Sequence, residues 1–165
     1  SGNLTDHYDP RDNSISLSEN VYNSTSIAAV GVAAHEAGHA VQYAENYGPV
    51  RLRTAIIPAT QIGSKFSFIL LLVGMVLYSQ SLFFVGILLF SLTTIFQLIT
   101  LPVELNASSR ALKILRADGM IMEQERPMAS TMLKAAAFTY VAGVLSTLLQ
   151  ILRVFLIAGS RDRRN

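Results

Sequence analysis

From Phe66 to Val103 the chain carries no charged side chain and no histidine, a stretch of 38 residues. One helix needs about 20 apolar residues to cross a bilayer, so this run is long enough for two crossings. Ser79-Gln80-Ser81 sits near its middle and suits a turn. The reading is a transmembrane helical hairpin over 62–101, with helices at 62–78 and 82–101 and a very short loop. A second apolar run, AAAFTYVAGVLSTLLQIL, covers 135–152 between Lys134 and Arg153, with VFLIAG beyond it. It predicts a third transmembrane helix over 135–158, followed by a basic tail at 159–165. With 51% hydrophobic and only 15% charged residues, the chain is too apolar for an ordinary soluble domain.

The segments around these runs are of a different kind. Residues 1–61 open with LTDHY and SISLS, two short strands around a turn built from Asp9, Pro10, Arg11, Asp12 and Asn13. Ile15 and Leu17 alternate with serines, the pattern of a half-buried strand. A helix is expected over 24–46, capped by Ser24, Thr25 or Ser26 and ended by Gly48-Pro49. Residues 50–65, with Arg51, Arg53 and Lys65, read as a connection with room for one more helical stretch. Residues 102–134 are charged, amphipathic and helical, with breaks near Asp118-Gly119 and Pro127. The fold class is therefore a mainly α membrane protein with a small N-terminal β-hairpin.

The net charge is +2 and no basic patch is interleaved with aromatics, which argues against nucleic acid as a partner. There is no cysteine, so a bound metal must use histidine and carboxylate. The chain has three histidines, and two stand in His35-Glu36-Ala37-Gly38-His39. On a helix, residues i and i+4 share a face, so His35 and His39 can reach one ion. Glu36 then lies beside that ion, placed to take a proton from water. This is the reason for the H-E-x-x-H pattern of zinc peptidases. Chance matches to so short a pattern occur, and two ordinary helix histidines would be the bland account. The flanking Ala33, Ala34, Ala37 and Ala40 leave room for metal and substrate.

A catalytic zinc takes three protein ligands and keeps one position open. His7 and Glu104 are the candidates for the third. Glu104 is preferred, because it closes the uncharged run and a carboxylate there needs a partner. It could also be a helix-starting carboxylate favoured by the dipole. His7, on the first strand, could stabilise the transition state, gate the metal or be a surface residue. Tyr8, Tyr43 and Tyr47 could serve as electrophiles, although most aromatics here should be packing.

LTDHYDP, VAAHEAGHAVQYA and LPVELNASSRAL, in this order around a membrane hairpin, resemble the bacterial YugP-like family of membrane neutral zinc metallopeptidases. The resemblance covers nearly the whole chain. It implies a zincin-like core of the gluzincin type, with His35, His39 and Glu104 on Zn2+ and Glu36 as the catalytic base. It also implies a membrane helix and a polar linker ahead of LTDHYDP, so the chain corresponds to the C-terminal part of a longer protein. HtpX-like and CAAX-prenyl proteases, more distantly similar, often place an aspartate four residues after the ligand glutamate to hydrogen-bond a histidine. That position is Ser108 here, and Asn106 is a second candidate for the same support.

The expected function is a membrane-embedded zinc endopeptidase acting on membrane-associated or misfolded proteins, with the lipid bilayer and a peptide substrate as partners. Its substrate would lie extended along the edge of the hairpin. Arg51, Arg53 and Lys65 before the hairpin, and Arg110, Lys113, Arg116, Arg126 and Lys134 after it, place the site on the cytoplasmic side of a bacterial inner membrane. The arginines of SRDRRN oppose this bias if 135–157 crosses. The alternative is a non-enzymatic scaffold or assembly subunit with a structural or latent zinc site. Gly74, Gly86 and the small residues at 135–143 would then face a membrane-protein partner or a second copy. A metal transporter is disfavoured, since the apolar run holds no ligand before Glu104.

Overall fold

The computed structural model describes the backbone of residues 5–162, with side chains from Thr5 to Arg153 and at 155 and 156. Two strands, β1 (His7–Asp9) and β2 (Ser14–Ser16), are followed by a single-turn helix α1 (Glu19–Tyr22) and by α2 (Ile27–Ala44), α3 (Gly48–Val76), α4 (Gln80–Ala117) and α5 (Arg126–Asp162). Two compact units divide α3, α4 and α5 between them.

The first unit comprises the chain up to Arg51 together with Leu101–Thr139. Its strands pair antiparallel, with Tyr8 opposite Ile15. The turn is made by its own side chains. The Asp9 carboxylate accepts from the Arg11 backbone N–H and guanidinium, Asp12 accepts from the Ser14 N–H, and Asn13 takes the left-handed φ of 57° that asparagine tolerates. Asp6 ties the end of the hairpin to the Ser18 N–H at 2.7 Å. Ser26 caps α2, its hydroxyl accepting from the Ala29 N–H. Asn46, at φ 54°, closes α2, with the Tyr47 N–H bonded to the Gln42 carbonyl in the Schellman pattern.

The interior of this unit follows helical periodicity. Along α4, Val103, Ala107, Ala111 and Leu115 are buried at four-residue spacing, and along α5 so are Ala129, Leu133 and Ala137. Positions i and i+4 fall on one face, so each helix presents one stripe, mostly of small residues. Ala34 of α2 joins Ala111, Leu115 and Leu133 in a core flanked by Val30, Leu112, Ile121 and Met132. Gly119, at φ 64°, ends α4, with the Met120 N–H on the Leu115 carbonyl.

The second unit comprises Leu52–Thr100 and the chain from Tyr140. Gly74 lets α3 meet α4 at the hairpin, since a Cβ there would stand 2.6 Å from the Phe83 nitrogen, and Gly86 packs on Leu71 in the same way. The glycines that could have served a partner helix thus serve this hairpin. Thr147 of α5 donates to Gln97 of α4 at 3.4 Å. Large apolar side chains point outward, among them Phe66, Phe68, Leu72, Leu88 and Leu98. Gly48–Val76, Gln80–Ala117 and Arg126–Arg153 are each long and apolar enough to cross a membrane.

Several boundaries differ from the expectation. The stretch 50–65 carries the helical stretch it had room for, but as a continuous part of α3 instead of a separate connection, and α4 runs through position 101 without a break. Pro58 and Pro102 lie inside these helices, which membrane helices tolerate when neighbours re-satisfy the freed carbonyl. Pro49 and Pro127 fall in the first turns of α3 and α5, where no N–H is missed. The expected breaks hold, since α2 ends at Ala44 and α4 at Ala117, and each of these two prolines opens the next helix. The α3–α4 turn falls at 77–79, overlapping the expected turn at Ser79, and Ser79 caps α4 by accepting from the Leu82 N–H. The helix that holds the expected third span at 135–158 begins earlier, at Arg126. Ile15 is 42% exposed, so β2 is not half-buried through it. Residues 163–165 of the basic tail, and Leu4 of the first expected strand, lie outside the described residues.

Candidate metal centre

His35 and His39 stand one turn apart on α2, with ring centroids 4.7 Å apart and rings nearly perpendicular. Both turn Nε2 toward α4. Glu104 Oε2 lies 3.1 Å from His35 Nε2 and 3.6 Å from His39 Nε2. One ligand atom from each of the three residues lies within 4.8 Å of the others. Their side chains are only 14%, 12% and 8% exposed. Two imidazole nitrogens and a carboxylate oxygen, converging and largely shielded from water, form the donor set that zinc favours when one position stays open.

The other ring nitrogens also have partners. Ser108 Oγ lies 3.2 Å from His35 Nδ1. Gln42 Oε1 lies 3.0 Å from His39 Nδ1. Gln42 is fully buried, and its amide nitrogen donates to the Val103 carbonyl at 2.8 Å and to Asn106 Oδ1 at 2.9 Å. Asn106 Oδ1 also accepts from Arg110 Nε at 2.8 Å, and Arg110 Nη2 reaches Glu45 Oε2 at 2.6 Å. Burial pushes the His39 pKa down, but hydrogen bonding and charge from Glu104, then Gln42 and Glu36, outweigh it, so the net shift is upward. The surroundings of His39 thus favour positive charge at the ring, whether from a proton or from a metal.

Glu36 is buried on α2, next to the first histidine. His7 is elsewhere. It is exposed on β1, with Nδ1 bonded to the Thr5 carbonyl at 2.7 Å, and does not join the convergent set. Tyr8 and Tyr43 pack with ring centroids 5.4 Å apart and planes tilted by 49°, seating the hairpin on α2, and Tyr47 lies under the Arg110 guanidinium at 6.0 Å. Of the two residues expected to support a ligand, Ser108 meets His35 directly, whereas Asn106 meets Gln42. Gln42, Arg110 and Glu45 were not among the sequence candidates. The available signal was spacing: Gln42 follows His39 by three and Arg110 follows Asn106 by four, both same-face separations.

Over 162 residues the chain is 49% identical to a protein of Bacillus subtilis (strain 168) described as "Putative membrane protease YugP", a match spanning 98% of this chain and 72% of that protein. No solved structure matches it. Residues 1–159 match the family described as "Putative neutral zinc metallopeptidase". With two histidines and a glutamate converging from α2 and α4, and with that match along almost its full length, the chain belongs to this zinc metallopeptidase family.

Proposed function

We propose that the chain is a zinc-dependent endopeptidase in which His35, His39 and Glu104 hold the metal and Glu36 is the general base. The observation that carries this reading is the convergence of the two Nε2 atoms and Glu104 Oε2 on one point, with buried Glu36 one residue from the first ligand. Bound there, zinc would supply Lewis-acid polarisation of the scissile carbonyl and acidify water. The Glu36 carboxylate takes a proton from the attacking water as its oxygen bonds to the carbonyl carbon. It then returns the proton to the amine nitrogen as the C–N bond breaks. A purely structural zinc site has no use for Glu36, which weighs against a scaffold.

The substrate is proposed to be a membrane-associated or misfolded protein, since Glu104 directly follows the uncharged run that ends at Val103. An extended peptide would add to the two-stranded sheet, each strand of which pairs on one side only among the described residues. The cationic residues flanking the helical hairpin favour a cytoplasmic site in a bacterial inner membrane.

The test is Glu36→Gln, purified in detergent beside wild type and offered a denatured model protein. The expected result is about one zinc per chain in both, with cleavage lost in the variant by at least the 10²-fold that general-base catalysis contributes. A variant that cleaves as fast as wild type would overturn the assignment of the base.

A further inference from the structure

The hydrogen bonds around His39 fix more than a distance. A backbone carbonyl can only accept, so the Gln42 atom 2.8 Å from the Val103 oxygen must be its nitrogen. Asn106 is oriented in the same way. A guanidinium can only donate, so the Asn106 atom facing Arg110 Nε at 2.8 Å is Oδ1, and that oxygen accepts the second Gln42 N–H at 2.9 Å. Both Gln42 donors are then used, and the atom turned to His39 is Oε1, an acceptor at 3.0 Å from Nδ1. The imidazole must meet it with an N–H. A neutral imidazole carrying its proton on Nδ1 has its lone pair on Nε2, and that is the nitrogen turned toward Glu104.

We infer that Gln42 is a positioning residue which holds His39 in the Nδ1–H form and so presents its Nε2 lone pair to the metal, with Asn106, Arg110 and Glu45 acting through it. The chain of bonds begins at Glu45, a carboxylate 57% exposed at the end of α2, and crosses to Arg110 and Asn106 on α4. It returns to fully buried Gln42 on α2. His35 has no equivalent. Its Nδ1 meets the Ser108 hydroxyl, which can donate or accept, so that contact leaves the proton position open. The two ligands are therefore prepared differently. His39 is set by the fixed orientation of the Gln42 amide, whose nitrogen is held by the Val103 carbonyl and by Asn106 Oδ1, and His35 settles its proton when the metal arrives. This inference rests on the zinc reading of the preceding section.

The test compares zinc affinity, by chelator competition in detergent, for wild type, Gln42→Met, Gln42→Glu and Arg110→Met. Gln42→Met keeps the length of the side chain and removes the acceptor. It should weaken zinc by about 10- to 100-fold, the range for lost partners of metal-bound histidines. Gln42→Glu keeps an oxygen for the Nδ1 proton but sets its second oxygen against the Val103 carbonyl and Asn106 Oδ1, so it should lose stability and still hold zinc more tightly than Gln42→Met. Arg110→Met acts at the outer end of the chain and leaves the buried residues in place. It should cause a smaller loss in the same direction. In the zinc-loaded protein, the His39 Nδ1 proton should exchange slowly with water in wild type and Gln42→Glu, and fast in Gln42→Met.

If Gln42 only clamps α2 to the Val103 carbonyl, Gln42→Glu will lose as much zinc as Gln42→Met, and the inference falls. It falls too if Gln42→Met binds zinc like wild type. If Gln42→Met does not fold, an unchanged affinity in Arg110→Met overturns it. In each case the zinc site itself stands. Wild type that takes up no zinc would instead bring down the zinc reading, and this inference with it.

Discussion

Gly38 and Ala107 meet backbone to backbone: a Cβ on Gly38 would stand 2.5 Å from the Ala107 carbonyl oxygen. Ala107 is itself fully buried and lies three residues beyond Glu104, while Gly38 lies between the two histidines. The glycine therefore sets how closely α4 approaches the histidine face of α2, and so whether Glu104 reaches both rings. Gly38→Ala should cost about 1–3 kcal/mol of stability, as overpacking does, and should sharply weaken zinc binding because the backbone cannot step aside. Gly31→Ala is the control. There the new methyl meets only the terminal methyl of Met132, a flexible group that can turn away. Its zinc affinity should stay within a few-fold of wild type. Thermal unfolding and chelator competition on both variants check this, and equal losses would refute the contact as the determinant.

Glu104→Ala leaves His35 and His39 facing each other without their shared carboxylate. Zinc content per chain should drop from about one to near zero after dialysis, with an affinity loss of at least about 10-fold. That is the loss expected even for residues that merely support ligands. His35→Ala should do the same, and His7→Ala should not, since His7 bonds to the Thr5 carbonyl away from the set. Retention of zinc by Glu104→Ala would move the third ligand elsewhere.

How much of this was readable beforehand depends on how local each signal is. The i, i+4 spacing of His35 and His39 is a property of one helix, and the hairpin turn is written in Asp9, Asp12 and Asn13. Both are visible in the chain. That Glu104 meets those histidines is a contact across 69 residues, and it was legible only because a carboxylate at the end of an apolar run demands a partner. The continuity of α3 and α4 was obscured by Pro49, Pro58 and Pro102. A proline ends or starts a helix in water according to which turn it occupies, and it is tolerated within one where neighbours or the membrane interior permit. Gln42 escaped notice for another reason. A glutamine three residues after a histidine has an ordinary exposed-face reading, and only the tertiary contact with the Val103 carbonyl gives its amide a direction.

The hairpin carries its own pH signature. The Asp9 carboxylate accepts from the Arg11 guanidinium and backbone N–H, which lowers its pKa from the usual 3.8 to about 2. A group whose pKa is depressed on folding stabilises the fold fully above its unfolded pKa, and loses that contribution as pH falls through the folded one. The Asp9 turn should therefore be intact above about pH 4 and weaken toward pH 2. A carboxyl-carbon NMR titration should place Asp9 near 2, and Arg11→Met should move it up toward the ordinary value. An unshifted Asp9 in wild type would mean that the guanidinium contact does not persist in solution.

Ser108 gives the last prediction. Its hydroxyl, 3.2 Å from His35 Nδ1, is the polar contact on the side of that ring facing away from Glu104, and Ser108 itself is 6% exposed. Removing it leaves a ring nitrogen in a shielded place with neither protein partner nor ready access to water, and this carries a desolvation penalty. Ser108→Ala should therefore weaken zinc by about 10-fold or more. The substituted methyl group fits the space of the original side chain, so the melting temperature of the metal-free protein should change little. Ser108→Asp supplies a stronger acceptor for the Nδ1 proton and should recover the affinity, because a carboxylate fixes the tautomer that a hydroxyl leaves free. Chelator competition across the three proteins decides it. If Ser108→Ala and wild type hold zinc equally well, His35 needs no support from α4, and the work of orienting the ligands falls to Gln42 and to the close approach at Gly38.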